Sequence, residues 1–219
     1  MNRLPLSGSE GTAGESTARF RAALETICAD AELHARFLNT LSLLEHIGSR
    51  KIMLARGAAP DASMLQHLAE ETRHAFFFKR AAEKLARRSL DYSEACTVAG
   101  AAARFYMGRL NARISSALPP GNPLPYLYMS LVIEDRAIWA YRIYQHVLTE
   151  AHCGISLKPV LAEEQLHLDA MLDQIERQDM QAREHIPAFT ALEHLGFERL
   201  WNAIEQDCGR DAQSARAAE

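Results

Sequence analysis

Two pairs of glutamate and histidine share the same spacing in this chain. Glu71 and His74 form one Glu-x-x-His pair, and Glu164 and His167 form the other. On an α-helix, residues three positions apart lie on the same face, so both side chains of a pair can reach one ion. Carboxylate and imidazole groups are common ligands of transition metals. The spacing therefore indicates metal chemistry, although a surface ion pair would explain either pair taken alone.

Two single glutamates, Glu45 and Glu134, interrupt stripes of apolar residues elsewhere in the chain. Glu45 lies in register with Leu41, Leu44 and Ile52. Burying a carboxylate among such residues costs several kcal/mol unless a metal, a proton or a charge partner compensates it. The chain order Glu, Glu-x-x-His, Glu, Glu-x-x-His is much harder to obtain by accident than one pair. It indicates four buried carboxylates that meet at one site.

Long helices must position these residues, because each glutamate falls within a 3.6-residue apolar repeat. Asp30 is a predicted N-cap, and Gly57 and Pro60 are predicted to stop the helix that it begins. Pro123 is a predicted first-turn proline. The helices predicted to carry the site cover residues 30–56, 61–88, 123–151 and 156–177; a short helix over 18–28, a crossover helix over 92–118 and an outer helix over 188–207 complete the set.

The composition favours one all-α domain over residues 18–208, between flexible tails over 1–17 and 209–219. A net charge of -4 gives no general attraction to nucleic acid or anionic membranes, so neither is an expected partner. No apolar stretch approaches the roughly 18 to 20 residues that span a bilayer as a helix. The cysteines show no Cys-x-x-Cys spacing and are predicted to be reduced thiols of a cytoplasmic protein. They are Cys28, Cys96, Cys153 and Cys208.

In this pattern the sequence resembles the ferritin-like di-iron carboxylate superfamily, whose motif is one Glu from each of two helices and Glu-x-x-His from each of the other two. The resemblance covers about residues 30–177. It implies a four-helix bundle with a helical crossover and extra flanking helices. It also implies two iron ions, with manganese as the alternative, bridged by Glu71 and Glu164. The implied ligands are Glu45, Glu71, His74, Glu134, Glu164 and His167.

The segments LVIEDRAIWAYRIY and LAEEQLHLDAML are diffusely similar to the third and fourth helices of aldehyde-deformylating oxygenases. The resemblance implies a non-haem di-iron oxidase or oxygenase that activates O2 to oxidise a small, apolar substrate. Electrons would come from an external donor, either a ferredoxin or a reductase. A homodimer is compatible with the sequence. In such an enzyme an apolar channel should reach the metals, and the residues predicted to line it are Phe76, Phe77, Phe78, Phe105 and Tyr106.

Two other functions remain open at this stage. A ferroxidase or iron-binding ferritin-like protein would have the same ligands but no organic substrate, and it should show a polar entry path. A helical interaction protein would require the buried glutamates to be an artefact of the predicted helix register. Phe78 stands where ribonucleotide reductase small subunits carry their radical tyrosine, four positions after the first ligand histidine. That radical mechanism is therefore disfavoured.

Several neighbours of the expected ligands have supporting roles to consider. The resemblance implies that Glu70 and Glu163 accept the free ring N–H of the histidine on the opposite helix; a solvated position is the alternative. Tyr141 and Tyr144 could donate to a ligand, although core packing is the commoner role. His46 is predicted to lie off the buried stripe. Arg73 and Arg136 are predicted to pair with nearby carboxylates.

Overall fold

The computed structural model describes residues 13–54 and 62–217, and this part of the chain is all-α. None of the described helices is long and apolar enough to cross a membrane. One 3-10 helix, Glu94–Cys96, precedes α4. The seven α-helices of the described residues are α1 (Ala13–Ala29), α2 (Ala31–Met53), α3 (Ala62–Ala86), α4 (Gly100–Ala117), α5 (Pro125–Glu150), α6 (Lys158–Gln178) and α7 (Ala182–Ala217).

Four helices form the bundle-like centre of the molecule. Helix α2 packs along α3, and α5 packs along α6. The two pairs meet through contacts of α2 with α5 and of α3 with α6. Helix α4 crosses from one pair to the other and contacts α2, α5 and α7, while α1 packs on α2 and α5. This arrangement confirms the all-α prediction and brings the four glutamate-bearing helices together.

The predicted start of α2 is correct, whereas the predicted start of α5 is two residues too early. The Asp30 side chain accepts the Leu33 backbone N–H at 2.8 Å, which confirms the predicted N-cap of α2. Helix α5 begins at Pro125 and not at Pro123, because the Asn122 side chain accepts the Leu124 N–H and holds the preceding residues in a turn. The predicted stop at Gly57 and Pro60 lies outside the described residues.

The predicted crossover helix over 92–118 is wrong in its first eight residues, because α4 begins only at Gly100. Side chains of α2 bind the backbone of this segment. Asn39 donates to the carbonyl oxygens of Asp91 and Cys96, and Thr40 both donates to Val98 O and accepts from Val98 N. These tertiary bonds occupy groups that a helix would have paired within itself. Local propensity could not reveal them.

The outer helix is longer than predicted. Helix α7 extends from Ala182 to Ala217, with Pro187 inside its first turns, and it packs on α4 and α5. It therefore continues into the segment predicted as a C-terminal tail. At the other end α1 begins at Ala13, inside the predicted N-terminal tail over 1–17, of which residues 1–12 lie outside the described part of the chain.

Candidate metal centre

The six residues predicted as ligands lie together at the centre of the bundle. Glu45, Glu71, His74 and Glu164 form one group whose ligand atoms all lie within 4.8 Å of one another. A second group satisfies the same distance and consists of His67, Glu71, Glu134 and His167. Glu71 belongs to both groups, which suits the predicted bridging role. Glu164 Oε2 lies 3.7 Å from His167 Nδ1, so Glu164 also borders the second group.

His67 is a seventh member of the cluster that was not predicted from the sequence. Its Nε2 lies 2.9 Å from Glu134 Oε1 and 3.6 Å from Glu71 Oε1, and the side chain is buried. The signal was present, because His67, Glu71 and His74 stand at positions i, i+4 and i+7 of one helix face. The superfamily motif has no ligand at this position. The resemblance therefore gave no reason to add His67 to the predicted ligands.

The two histidines of the Glu-x-x-His pairs have the same orientation. His74 and His167 turn Nδ1 toward the cluster and Nε2 toward a carboxylate on the opposite helix. His74 Nε2 lies 2.8 Å from Glu163 Oε2, and His167 Nε2 hydrogen-bonds Glu70. Each bond fixes the ring orientation and directs Nδ1 toward the cluster, where it can bind a metal ion that displaces its proton. Glu70 and Glu163 therefore occupy the supporting positions that the resemblance implied.

Two further residues shape the carboxylate side of the cluster. The Tyr141 hydroxyl donates to Glu45 Oε1, which confirms that Tyr141 is placed to support a predicted ligand. Gly48 lies against Glu71, and a Cβ added at this glycine would come within 3.2 Å of Glu71 Oε2. The missing side chain leaves the space that the Glu71 carboxylate occupies. The backbone of α2 thus approaches closely enough to accommodate Glu71 of α3, a predicted ligand.

Polar atoms without partners give a direct test of whether these residues fit a metal. Buried donors and acceptors in proteins are almost always hydrogen-bonded, so orphaned atoms need an explanation. Among the described residues, nine buried side-chain atoms have no hydrogen-bond partner. Seven of them belong to the cluster: His67 Nε2, Glu71 Oε1, His74 Nδ1, Glu134 Oε1 and Oε2, Glu164 Oε2 and His167 Nδ1.

His67 Nε2 and Glu134 Oε1 show how these atoms meet without bonding. They lie 2.9 Å apart, yet they lack hydrogen-bond geometry. Convergence of unpaired ring nitrogens and carboxylate oxygens on common points is the arrangement that cations would satisfy. The oxygen-rich set with three imidazoles suits iron or manganese, and four carboxylates balance two divalent ions. The residues therefore fit the metals that the resemblance implied.

Ionisation in the cluster is strongly perturbed. Burial raises the pKa of Glu45 well above its ordinary value, and the Glu71 and Glu164 carboxylates add to the effect. Burial likewise raises the pKa of Glu134 to about 8. Burial alone would lower the pKa of His67 and of His74. The surrounding carboxylates outweigh this effect and raise each pKa to about 10. Without metal, protons on Glu134, His67 and His74 thus offset part of the negative charge of the cluster.

An apolar cavity of about 110 Å³ adjoins the carboxylate side of the cluster. Five cluster members border it, while His74 and His167 lie on the far side. The rest of its wall comes from α2, α4, α5 and α7 and is mainly apolar, with Lys51, Ser130 and Arg136 among its polar residues. Of the five residues predicted to line a channel, only Tyr106 borders this cavity. Phe76 and Phe105 are instead 60% and 70% exposed. The apolar residues that border the cavity include Leu41, Ile52, Met107, Met129, Ile133 and Phe197.

The other residues considered from the sequence lie outside the cluster. His46 is half-buried and stacks on Tyr92. Tyr144 hydrogen-bonds His34, away from the candidate centre. Arg73 binds Glu163 at 2.7 Å, and Arg136 binds the buried Glu193 at 2.9 Å; both arginines pair with carboxylates as predicted.

Comparison with known proteins identifies no relative. No protein-family model, no curated protein and no solved structure matches this chain. Function must therefore be argued from the site itself.

Proposed function

We propose that this protein is a ferritin-like oxidoreductase that holds two iron ions, or two manganese ions, and activates O2 to oxidise a small apolar substrate. The chain order of the ligands, their convergence from α2, α3, α5 and α6, and the seven orphaned atoms all support the metal centre. When bound, the metal pair would supply the redox chemistry, with electrons delivered by an external ferredoxin or reductase. The six predicted residues and His67 would hold the metals.

The apolar cavity is the observation that favours an oxidase or oxygenase over a ferroxidase. An organic substrate needs space beside the metals, whereas a ferroxidase needs a polar path for iron. The space that borders Glu45, Glu71 and Glu134 is walled mainly by apolar side chains. Sites for small molecules are typically concave and mostly apolar, with a few polar groups that fix orientation. This wall favours an apolar substrate over a hydrated ion.

The residues of the chain would contribute positioning and exclusion of water. Glu70 and Glu163 hold the rings of His167 and His74 with Nδ1 toward the metals. Tyr141 hydrogen-bonds Glu45 and restricts its rotation. The mainly apolar wall offers water few hydrogen-bond partners and would favour an apolar substrate beside the carboxylates. The glutamates and histidines would thus bind the metals, and the cavity wall would enclose the substrate.

The first test is an anaerobic titration of the metal-free protein with Fe²⁺, followed by exposure to O2 and optical spectroscopy. Two iron ions per chain and a new absorption band after O2 are expected. Glu71→Ala and Glu164→Ala should each lower the iron stoichiometry, and Glu176→Ala, an exposed glutamate on α6, should leave it unchanged. Absence of stoichiometric iron and manganese after reconstitution would refute the centre and leave the helical-scaffold function.

A second variant separates the oxidase from the ferroxidase. Ala137 borders the cavity and is not a proposed ligand, so Ala137→Leu adds volume to the cavity wall and keeps every proposed ligand in the chain. An oxidase should keep its iron stoichiometry and lose most turnover of small apolar substrates. The matched control is Ala170→Leu at an exposed position of α6. If wild type oxidises Fe²⁺ with O2 but consumes none of a panel of aldehydes, amines and hydrocarbons, the ferroxidase function replaces this proposal.

A further inference from the structure

A second cluster of metal-binding side chains lies apart from the candidate metal centre. Cys28, His34 and Cys153 each offer one ligand atom, and these atoms lie within 4.8 Å of one another. Cys28 Sγ is 3.9 Å from His34 Nε2. Cys28 is in the last turn of α1, His34 is in the first turns of α2, and Cys153 follows α5. The sequence alone indicated only scattered thiols, because the three residues meet through tertiary packing.

The local backbone holds these residues in place. Asp30 caps α2 and so fixes the corner between Cys28 and His34. Cys153 stands between His152 and Gly154, which both have positive φ values of 51° and 67°. Its backbone N–H donates to Leu148 O at 3.0 Å, which ties the turn to the end of α5. Three separate segments are thus fixed around one point, and binding an ion there would order little additional chain.

We propose that Cys28, His34 and Cys153 form a binding site for a thiophilic divalent cation, with Zn²⁺ as the ligand. Sulfur and imidazole are the ligands that zinc prefers in structural sites, and two thiolates neutralise its charge. The observed 3.9 Å between sulfur and nitrogen is close to the separation of two ligands on one tetrahedral zinc ion. Binding would form two Zn–S bonds and one Zn–N bond and release one proton from each thiol.

Access and the remaining coordination position follow from the surroundings. Cys153 borders a surface cavity of about 590 Å³, together with Gly154, Phe77 and Arg80. An ion can therefore enter from solvent, and a water molecule can complete its coordination. His34 Nε2 also lies 2.6 Å from the Tyr144 hydroxyl, and zinc would replace that hydrogen bond. Removing the hydroxyl should accordingly not weaken zinc binding.

The site is independent of the proposed oxidoreductase activity, and the probe is chosen to report on it alone. Co²⁺ replaces Zn²⁺ in tetrahedral sites, and only a cysteine-bound cobalt ion gives a thiolate-to-metal charge-transfer band in the near ultraviolet. The carboxylate and histidine centre contains no cysteine and cannot give this band. The experiment is a Co²⁺ titration of the full, reduced protein under anaerobic conditions, followed by displacement with Zn²⁺.

We expect a charge-transfer band that saturates at one thiolate-bound cobalt ion per chain and disappears on addition of Zn²⁺. Cys28→Ser, Cys153→Ser and His34→Gln should each lose at least most of the band, while Tyr144→Phe should keep it with equal or higher affinity. The other two cysteines supply matched controls, Cys96→Ser and Cys208→Ser, which should retain the wild-type band. Circular dichroism checks that each variant remains helical.

Two results would overturn the zinc site. One is the absence of a charge-transfer band in reduced wild-type protein at saturating Co²⁺. The other is a band that persists in Cys28→Ser or Cys153→Ser, which would place the thiolate elsewhere. If the reduced protein shows no band and mild oxidation links Cys28 to Cys153 in peptide mapping, the pair is a dithiol and not a metal site.

Discussion

His67 gives the candidate metal centre an unequal number of imidazoles on its two sides. Four positions before Glu71 the chain has His67, whereas four positions before Glu164 it has Val160. The group that contains Glu134 therefore offers two histidines, and the group that contains Glu45 offers one. Because imidazole and carboxylate differ in charge and donor strength, the two metal positions should differ in affinity.

This asymmetry leads to a prediction for His67→Ala. The variant should lose the ion of the group that contains Glu134, with about one ion per chain remaining where wild type binds two. The measurement is a stoichiometric Fe²⁺ or Mn²⁺ titration of the metal-free protein. His46→Ala on α2 is the control, since His46 lies outside both groups. Retention of two tightly bound ions by His67→Ala would exclude His67 as a ligand.

Glu70 and Glu163 should matter for affinity although they touch no metal. Each accepts the ring N–H of a histidine whose other nitrogen faces the cluster. Loss of such a bond typically lowers metal affinity by about 10- to 100-fold. We predict a decrease of this size for Glu70→Ala and Glu163→Ala in competition titrations with a chelator. Glu176→Ala should match wild type. Wild-type affinity in Glu70→Ala and Glu163→Ala would show that the two bonds have no role.

At this scale the sequence predicted much of the centre. The Glu-x-x-His spacing and the interrupted apolar stripes identified six of its seven members, because ligands on one helix face have a fixed spacing. The family resemblance, and not the spacing, implied the positions of Glu70 and Glu163. The predicted lining of the cavity was mostly wrong, since Phe76 and Phe105 are exposed. Contacts among four helices determine which residues line the cavity, and the spacing along one helix does not show those contacts. The group of Cys28, His34 and Cys153 was missed for the same reason.

At the scale of the elements, α2 and α3 approach each other where Gly48 meets Glu71. A methyl group at position 48 would lie 3.2 Å from Glu71 Oε2 and push the carboxylate by a few tenths of an ångström. We predict that Gly48→Ala weakens metal binding in titrations, while the gain in helix propensity leaves the stability of the metal-free protein near that of wild type. Unchanged metal affinity would show that Glu71 can move without loss.

Gly108→Ala is the matched control for that variant. Gly108 lies within α4, and a Cβ added there would meet nothing within 4 Å. Alanine should therefore stabilise the protein by roughly 0.5–1 kcal/mol through helix propensity alone, with metal affinity unchanged. Urea unfolding of the metal-free forms of both variants measures the difference.

Asp207 of α7 binds the backbone immediately before α4, next to the Ala101 N–H that Glu94 accepts. Ala99 has a positive φ of 52° and no side-chain cap of its own, and its backbone N–H donates to Asp207 Oδ2 at 2.9 Å. Burial opposes ionisation of Asp207, but the bonds from Arg210 and Ala99 outweigh it and lower its pKa. Because the folded-state pKa lies below the unfolded value of 3.8, this stabilisation is present above about pH 4 and is lost as pH falls further.

We predict that Asp207→Asn lowers the free energy of unfolding at pH 7 by about 1 kcal/mol, because asparagine can still accept the Ala99 N–H but loses the charge that binds Arg36 and Arg210. The deficit relative to wild type should shrink as the pH falls from 5 to 3, and urea unfolding at several pH values checks it. Asp173→Asn, at an exposed position of α6, should change little at any pH. A deficit that does not vary with pH would mean that the Asp207 charge is irrelevant.

At the scale of the whole molecule, the candidate metal centre draws its residues from all four bundle helices. Ligand binding to the folded state alone stabilises a protein by an amount that grows with ligand concentration, about 2.7 kcal/mol at 100 times Kd. We predict that Fe²⁺ or Mn²⁺ raises the Tm of the wild-type protein in a concentration-dependent way and that a chelator reverses the rise. Glu71→Ala should abolish most of the shift, because Glu71 belongs to both groups. An equal shift in the variant would place the stabilising ions elsewhere.

The two carboxylate–histidine bonds between α3 and α6 also bear on how the chain folds. They join residues that are 89 and 97 positions apart, whereas α2 with α3 and α5 with α6 are neighbours along the chain. Contacts of long sequence separation carry a large loop-closure cost and are slow to form. Each hairpin can therefore assemble before the centre exists. In chevron experiments, bound metal should mainly decrease the unfolding rate and leave the refolding rate nearly unchanged.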